Sequence, residues 1–264
     1  MTSIQPFVRE AGSGPAVVCL HCNASSSSQW RSLMESLAPR HRVLAPDLYG
    51  SGKTAAWPNE RTMTLQDELD LLEPLLDGAG PCVLVGHSYG AGVALRATLQ
   101  RPAQVRAAAV YEPTLFSVIE QEGPAPNDAD GIRDTGERAR AALAQGRNDL
   151  AASEFIGYWM GAGSFERMPP ERQAPVAASM PGLRHWWPAL STEPTLLADW
   201  AQVRVPVLYM VGERSTRAAH GVAERLLRVL PNAKQERFEG LGHMGPVTHP
   251  EQVNAAIEKF VAEL

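Results

Sequence analysis

With 264 residues, 44% of them hydrophobic, the chain can bury a substantial core as a single domain with insertions. Its formal net charge of −5 and the lack of a basic stripe argue against nucleic acid as a partner, because neutralising phosphates needs clustered Lys and Arg. No window reaches the unbroken apolar length of a bilayer span, and Met1 to Glu10 has neither a basic region nor a long apolar segment. A soluble, cytoplasmic protein acting on a small molecule, with no membrane contact, is expected.

In chain order, Ile4 to Val8 is expected as an edge strand, and the turn Gly12-Ser13-Gly14-Pro15 leads into the continuous apolar run Ala16 to Leu20. That run reads as a buried strand ending at His21-Cys22-Asn23-Ala24. Trp30, Leu33, Met34 and Leu37 then recur at helical spacing, and Arg42 to Ala45 makes the next strand, ending at Pro46-Asp47. The Gly-Lys-Thr tail of Asp47 to Thr54 resembles a phosphate-binding loop. The G-x-x-x-x-G-K-[ST] spacing, however, requires glycine where Asp47 stands, and Trp57-Pro58-Asn59 interrupts any helix beyond it. A structural loop is the expectation here. Thr64-x-x-Asp67 reads as a capping box for a helix carrying Leu65, Leu69, Leu72 and Leu76, bent at Pro74.

The apolar run Cys82 to Val85 leads directly into Gly86-His87-Ser88-Tyr89-Gly90, a G-x-S-x-G sequence, and then into the small apolar helix formers Ala91, Val93, Ala94, Leu95 and Ala97. Strand, tight turn and helix together describe a nucleophile elbow, in which flanking glycines keep Cβ atoms clear of a strained serine. Val105 to Tyr111 is another strand, ending at Glu112-Pro113. Strand and helix have alternated throughout, which predicts a parallel sheet wound by right-handed crossovers.

From residue 113 to 200 no strand pattern appears, and this segment reads as a helical cap inserted between core segments 1–112 and 201–264. Its polar start, Gly123 to Gly131, is expected to be a mobile connection. Phe155, Tyr158, Trp159, Phe165, Trp186 and Trp187 should mostly form the cap's own core, with Trp159, Trp186 and Trp187 suggesting an apolar substrate pocket. The sheet resumes at Val205 to Val211, a helix follows through Ala223, Leu226, Leu227 and Leu230, and Gln235 to Phe238 is the last strand. Gly240 to Gly245 is a glycine-rich, flexible loop carrying His243, and Thr248-x-x-Glu251 is expected to cap the final helix of Val253, Ile257, Phe260 and Val261. The cysteines Cys19, Cys22 and Cys82 make neither a disulfide framework nor a zinc pattern, and no metal or organic cofactor is implied.

Four motifs, His21-Cys22-Asn23, Asp47-x-x-Gly50-x-Gly52, Gly86 to Gly90 and Gly242-His243, occur in an order and spacing that resemble the α/β-hydrolase superfamily over nearly the whole chain. The resemblance implies a mostly parallel, doubly wound α/β sheet with an inserted helical cap, and a serine, an acid and a histidine acting in that chain order. Ser88 is the nucleophile so implied and His243 its base, an imidazole whose ordinary pKa of about 6.5 suits proton exchange near neutrality. By analogy the backbone N–H groups of Asn23 and Tyr89 supply the oxyanion hole, with His21 bracing that loop, His87 packing behind the elbow and Cys22 lining the substrate site. Relatives place the acid two residues beyond Glu213, where this chain has Ser215. Glu112, at the end of the preceding strand as in haloalkane dehalogenases, is the favoured acid and Glu213 the alternative. These features imply a serine hydrolase of small, apolar esters or lactones. Hydrolysis of a carbon–carbon bond, perhydrolase or acyltransferase chemistry with the same triad, and a non-catalytic ligand receptor on the same fold remain open alternatives.

Overall fold

The computed structural model describes residues 4–264; Met1 to Ser3, at the start of the N-terminal stretch considered above, lie outside the described residues. Seven strands form one sheet: β1 (Val8–Ala11), β2 (Ala16–Leu20), β3 (Arg42–Pro46), β4 (Cys82–His87), β5 (Val105–Tyr111), β6 (Val207–Gly212) and β7 (Ala233–Phe238). Their spatial order is β1-β3-β2-β4-β5-β6-β7, with β1 antiparallel to β3 and every other pair parallel. The central strands are buried along their whole length, which is why they appear in the sequence as unbroken apolar runs rather than alternating ones.

Alternate residues of these strands feed two cores. One face carries Val18, Leu20, Leu84, Val110 and Tyr209 against α2 (Leu65–Ala79), α3 (Tyr89–Gln100) and α9 (Arg217–Val229). The other carries Val17, Cys19, Val85, Ala109 and Met210 against α1 (Arg31–Leu37) and α11 (Pro250–Ala262). Between β5 and β6 the chain runs through α4 (Ser117–Glu120), α5 (Asp130–Ala144), α6 (Asn148–Met160), α7 (Pro170–Ser179) and α8 (Leu183–Ser191), with no strand among the described residues. Trp200 closes this helical segment and is fully buried. No helix of the described residues is long and apolar enough to cross a membrane.

The strand order reverses between β2 and β4, so the segments leaving these two strands open a crevice at their carboxyl ends. Register then sets the neighbours. His87 pairs with Tyr111, so Ser88 after β4 and Glu112 after β5 emerge level with each other, while Leu20, the last residue of β2, pairs with Gly86 and β6 runs two residues past Met210, the partner of Tyr111. The Asp47 loop is structural. The Asp47 carboxylate accepts from the Ser27 N–H at 2.6 Å and the Lys53 N–H at 2.9 Å, and a Cβ on Gly52 would fall 2.1 Å from its Oδ2. The Thr64–Asp67 capping box is formed in full, with Pro74 inside the helix that it starts.

Four local expectations are corrected. The edge strand is Val8–Ala11 rather than Ile4 to Val8, because its ladder runs Val8 to Pro46 through Ala11 to Val43. The sheet resumes at Val207 rather than Val205, after Pro206, which has no N–H to give a ladder. Thr248 ends the short helix α10 (Gly245–Thr248) and does not cap α11; α11 begins at Pro250, whose fixed φ suits a first helical position and whose missing N–H needs no partner there. Finally, the Gly123 to Gly131 connection is tethered, since Asp128 pairs with Arg217 at 2.7 Å and with Arg225 at 3.0 Å.

The closeness of α3 to β2 makes a test. A Cβ on Gly90 would sit 2.4 Å from the Leu20 carbonyl oxygen and 2.5 Å from that of His21, whereas one on Gly78 in α2 meets nothing within 4 Å. Gly78→Ala should raise stability by about 0.5–1 kcal/mol, the helix-propensity gain. Gly90→Ala should lower it by several-fold more, read from urea unfolding of both variants.

Candidate active site

Ser88 follows β4 and precedes the first residue of α3, and its backbone is held at φ 57° and ψ −116°. Such angles cost a non-glycine residue of order 1–3 kcal/mol and persist only when the surroundings enforce them. Here the Ser88 N–H donates to the Tyr111 carbonyl at 2.9 Å, and the Ser88 carbonyl accepts from Ala91 at 3.0 Å and Gly92 at 3.1 Å. Gly86 is required as well, because its Cβ would lie 2.6 Å from the Ala91 Cα. The elbow read from the sequence is formed.

The carboxylate of Glu112 can only accept, so the 2.7 Å contact between its Oε2 and His243 Nδ1 assigns the ring proton to Nδ1. That leaves the lone pair of Nε2 facing Ser88 Oγ at 2.9 Å, ready to take the hydroxyl proton. All three residues are buried: Ser88 is 6% exposed, His243 2% and Glu112 1%. Glu112 is strained as well, at φ 45°, and its other oxygen accepts from the Gly212 N–H at 2.7 Å and from the Ser215 hydroxyl. Ser215 thus serves the carboxylate that arrives from β5. Glu213 is exposed and instead accepts from the Gly240 N–H at 3.0 Å, bracing the start of the histidine loop.

The loop after β2 is shaped by His21. Its Nε2 accepts from the Leu48 N–H at 3.1 Å, so its Nδ1 carries the proton donated to the Cys22 carbonyl at 2.7 Å. In a trans peptide the carbonyl and the next N–H point opposite ways, so the Asn23 N–H faces away from His21. The Tyr89 N–H is the first of α3 and has no partner within the helix. Both N–H groups are free of hydrogen bonds among the described residues, as donors for a developing oxyanion would be.

Sequence reading missed Gln29. Its Oε1 accepts from the Cys22 N–H at 3.1 Å, its Nε2 donates to His87 Nδ1 at 3.0 Å, and His87 Nε2 donates to the His243 carbonyl at 2.8 Å. One side chain therefore joins the β2 loop, the elbow and the histidine loop. Burial above all holds the His87 imidazole well below its ordinary pKa, in the neutral form this chain of bonds requires.

Trp159 lies on His243. Trp186 and Trp187 are packed into the helical segment instead, Trp186 against Phe155 and Trp187 against Phe116 and Gly136, so the structure does not bring them to Ser88. The Cys22 thiol is buried and pushed up to about 12 by that burial, which leaves it protonated and unsuited to attack. Among the described residues no group of three or more His, Cys, Asp or Glu side chains is placed to hold a metal ion. Behind the elbow, Glu68 accepts from the Tyr49 N–H and the Tyr89 hydroxyl, both at 3.2 Å, and burial pushes its carboxyl up to about 7.

Comparison with known proteins places the chain in a wider group. The model of the alpha/beta hydrolase family matches residues 17–256. The chain is similar to the lipase LipV of Mycobacterium tuberculosis, 28% identical over 94% of both chains. It is also similar to the (E)-2-((N-methylformamido)methylene)succinate hydrolase of Acinetobacter baylyi, 25% identical over 96% of this chain and 92% of the other. A thermophilic esterase from Thermogutta terrifontis shares the fold with a TM-score of 0.77 at 21% identity, over 98% of this chain and 94% of that one.

Two outcomes follow from the buried polar groups. Gln29→Leu leaves the Cys22 N–H and His87 Nδ1 without partners and should cost about 1–3 kcal/mol in urea unfolding. Glu68 has its folded pKa raised from 4.5 to about 7, so the stability it contributes is full below about pH 4.5 and is lost as pH rises through about 7. From Glu68 alone stability should fall from pH 5 to pH 7 by up to roughly 1.4 kcal/mol per unit, against the rise that His87 and His21, both lowered by burial, contribute over the same range. The stability of Glu68→Gln relative to wild type should therefore rise with pH, as followed by unfolding of both at pH 5, 6 and 7.

Proposed function

This chain belongs to the α/β hydrolase family, and from that premise we propose that it is a serine hydrolase cleaving small, apolar esters or lactones through an acyl-enzyme. The observation that carries the reading is the continuous buried line from Ser88 Oγ to His243 Nε2 at 2.9 Å and from His243 Nδ1 to Glu112 at 2.7 Å. Ser88 attacks the acyl carbon while His243 takes its proton, and the Glu112 carboxylate stabilises the imidazolium that forms. The tetrahedral oxyanion is received by the Asn23 and Tyr89 N–H groups. His243 then protonates the leaving alcohol, activates a water against the acyl-enzyme and returns the proton to Ser88.

Residues 113–200 act in this reading as a cap over a core of 1–112 and 201–264. The indole of Trp159 on His243, with Phe116 against it, supports an apolar acyl or alcohol group. The similarity to a lipase and to an esterase fold points the same way.

The test is steady-state turnover of p-nitrophenyl acetate by wild type, Ser88→Ala, Glu112→Gln and Glu213→Gln, with each fold checked by circular dichroism. Ser88→Ala should abolish activity and Glu112→Gln should lower kcat by about 10³–10⁴, whereas Glu213→Gln should stay within about threefold of wild type. Equal loss at Glu213 and none at Glu112 would reassign the acid. A wild type no faster than Ser88→Ala across esters and lactones would favour a ligand receptor instead.

A further inference from the structure

Trp159 occupies the last turn of α6 and lies flat on the His243 imidazole, with ring centroids 3.8 Å apart and planes inclined by 22°. Both side chains are buried. The indole is itself fixed by three aromatic neighbours, Phe116 at 6.4 Å, Phe155 at 6.3 Å and Tyr158 at 4.8 Å, so it is held against the imidazole rather than resting there by default. Among the described residues the other groups facing His243 are Ser88 and Glu112 in the plane of the ring and the neutral His87, whose ring centroid is 5.2 Å away and tilted by 46°. Glu112 is therefore the charge at the edge of the imidazole, and Trp159 is the group on its face.

We propose that Trp159 is a positioning residue for His243: its indole clamps the imidazole between Ser88 and Glu112 and stabilises the imidazolium formed when Ser88 gives up its proton. This rests on the serine-hydrolase reading above. The face of an indole carries the negative part of its quadrupole and attracts a cation within about 6 Å of its centre. A neutral imidazole gains only ordinary stacking from the same contact. The interaction therefore strengthens as the proton moves from Ser88 Oγ to His243 Nε2, and an interaction stronger in the transition state than in the ground state raises kcat rather than lowering KM. It also gives the helical segment between β5 and β6 a part in the proton transfer that composition alone does not reveal.

The test reads the ring protons of His243 by NMR in wild type, Trp159→Phe and Trp159→Leu, with the signal assigned by its loss in His243→Gln. In wild type the indole ring current should displace the signal, and Trp159→Leu should abolish that displacement. On p-nitrophenyl acetate kcat should fall about tenfold in Trp159→Leu while KM stays within about twofold, and Trp159→Phe, which keeps an aromatic face, should recover part of the loss. Equal kcat in wild type and a folded Trp159→Leu variant, or a loss that appears in KM alone, would overturn the proposal. If Ser88→Ala were as active as wild type the hydrolase reading would fail, and the ring-current displacement would still decide the Trp159 contact by itself.

Discussion

The parallel register of β4 with β5 is the constraint on which the site depends. Because His87 pairs with Tyr111, the next residues of the two strands, Ser88 and Glu112, emerge level with each other, and both turn away through the left-handed region, at φ 57° and 45°. Neither conformation is favourable alone for a residue with a Cβ. Each is enforced by backbone bonds to the neighbouring strand: the Ser88 N–H to Tyr111 on β5, and the Glu112 N–H to Met210 on β6. Strain distributed along one sheet edge thus holds a hydroxyl and a carboxylate on either side of the same imidazole.

An imidazole buried between these two must be oriented from outside the plane as well as within it. The backbone of His243 is held by His87, which Gln29 in turn fixes and connects to the Cys22 peptide. The Glu112 carboxylate would be costly to bury unpaired, and it is met by the Gly212 N–H, the Ser215 hydroxyl and His243. Tyr111 contributes from beneath, donating its hydroxyl to the Gly242 carbonyl at 2.8 Å. The loop carrying His243 is glycine-rich, and these bonds and the Trp159 face hold it over the elbow.

What was legible in the sequence was whatever a short stretch specifies by itself. The elbow needs Gly86 and Gly90 beside Ser88, the capping box needs Thr64 and Asp67, and the Asp47 loop needs Gly52, so each is written where it is used. Glu112 was legible because a strand end fixes its height on the sheet. Gln29 was not: a single half-buried glutamine in a short helical turn has no periodicity, and its meaning lies in partners 7 and 58 residues away. Trp159, Trp186 and Trp187 looked alike in composition, and only tertiary packing separates the one that meets His243 from the two that fill the helical segment. Ser215 likewise read only as the absence of an expected acid, when its hydroxyl donates to the Glu112 carboxylate.

The most direct measurement is intact-protein and peptide mass spectrometry after exposure to a p-nitrophenyl alkylphosphonate, which traps an activated serine as a stable mimic of the tetrahedral intermediate. The account predicts one adduct per chain, on the peptide containing Ser88, absent in Ser88→Ala and much slower to form in Glu112→Gln. An adduct on Cys22 or another residue, or a wild type that is never labelled, would contradict it.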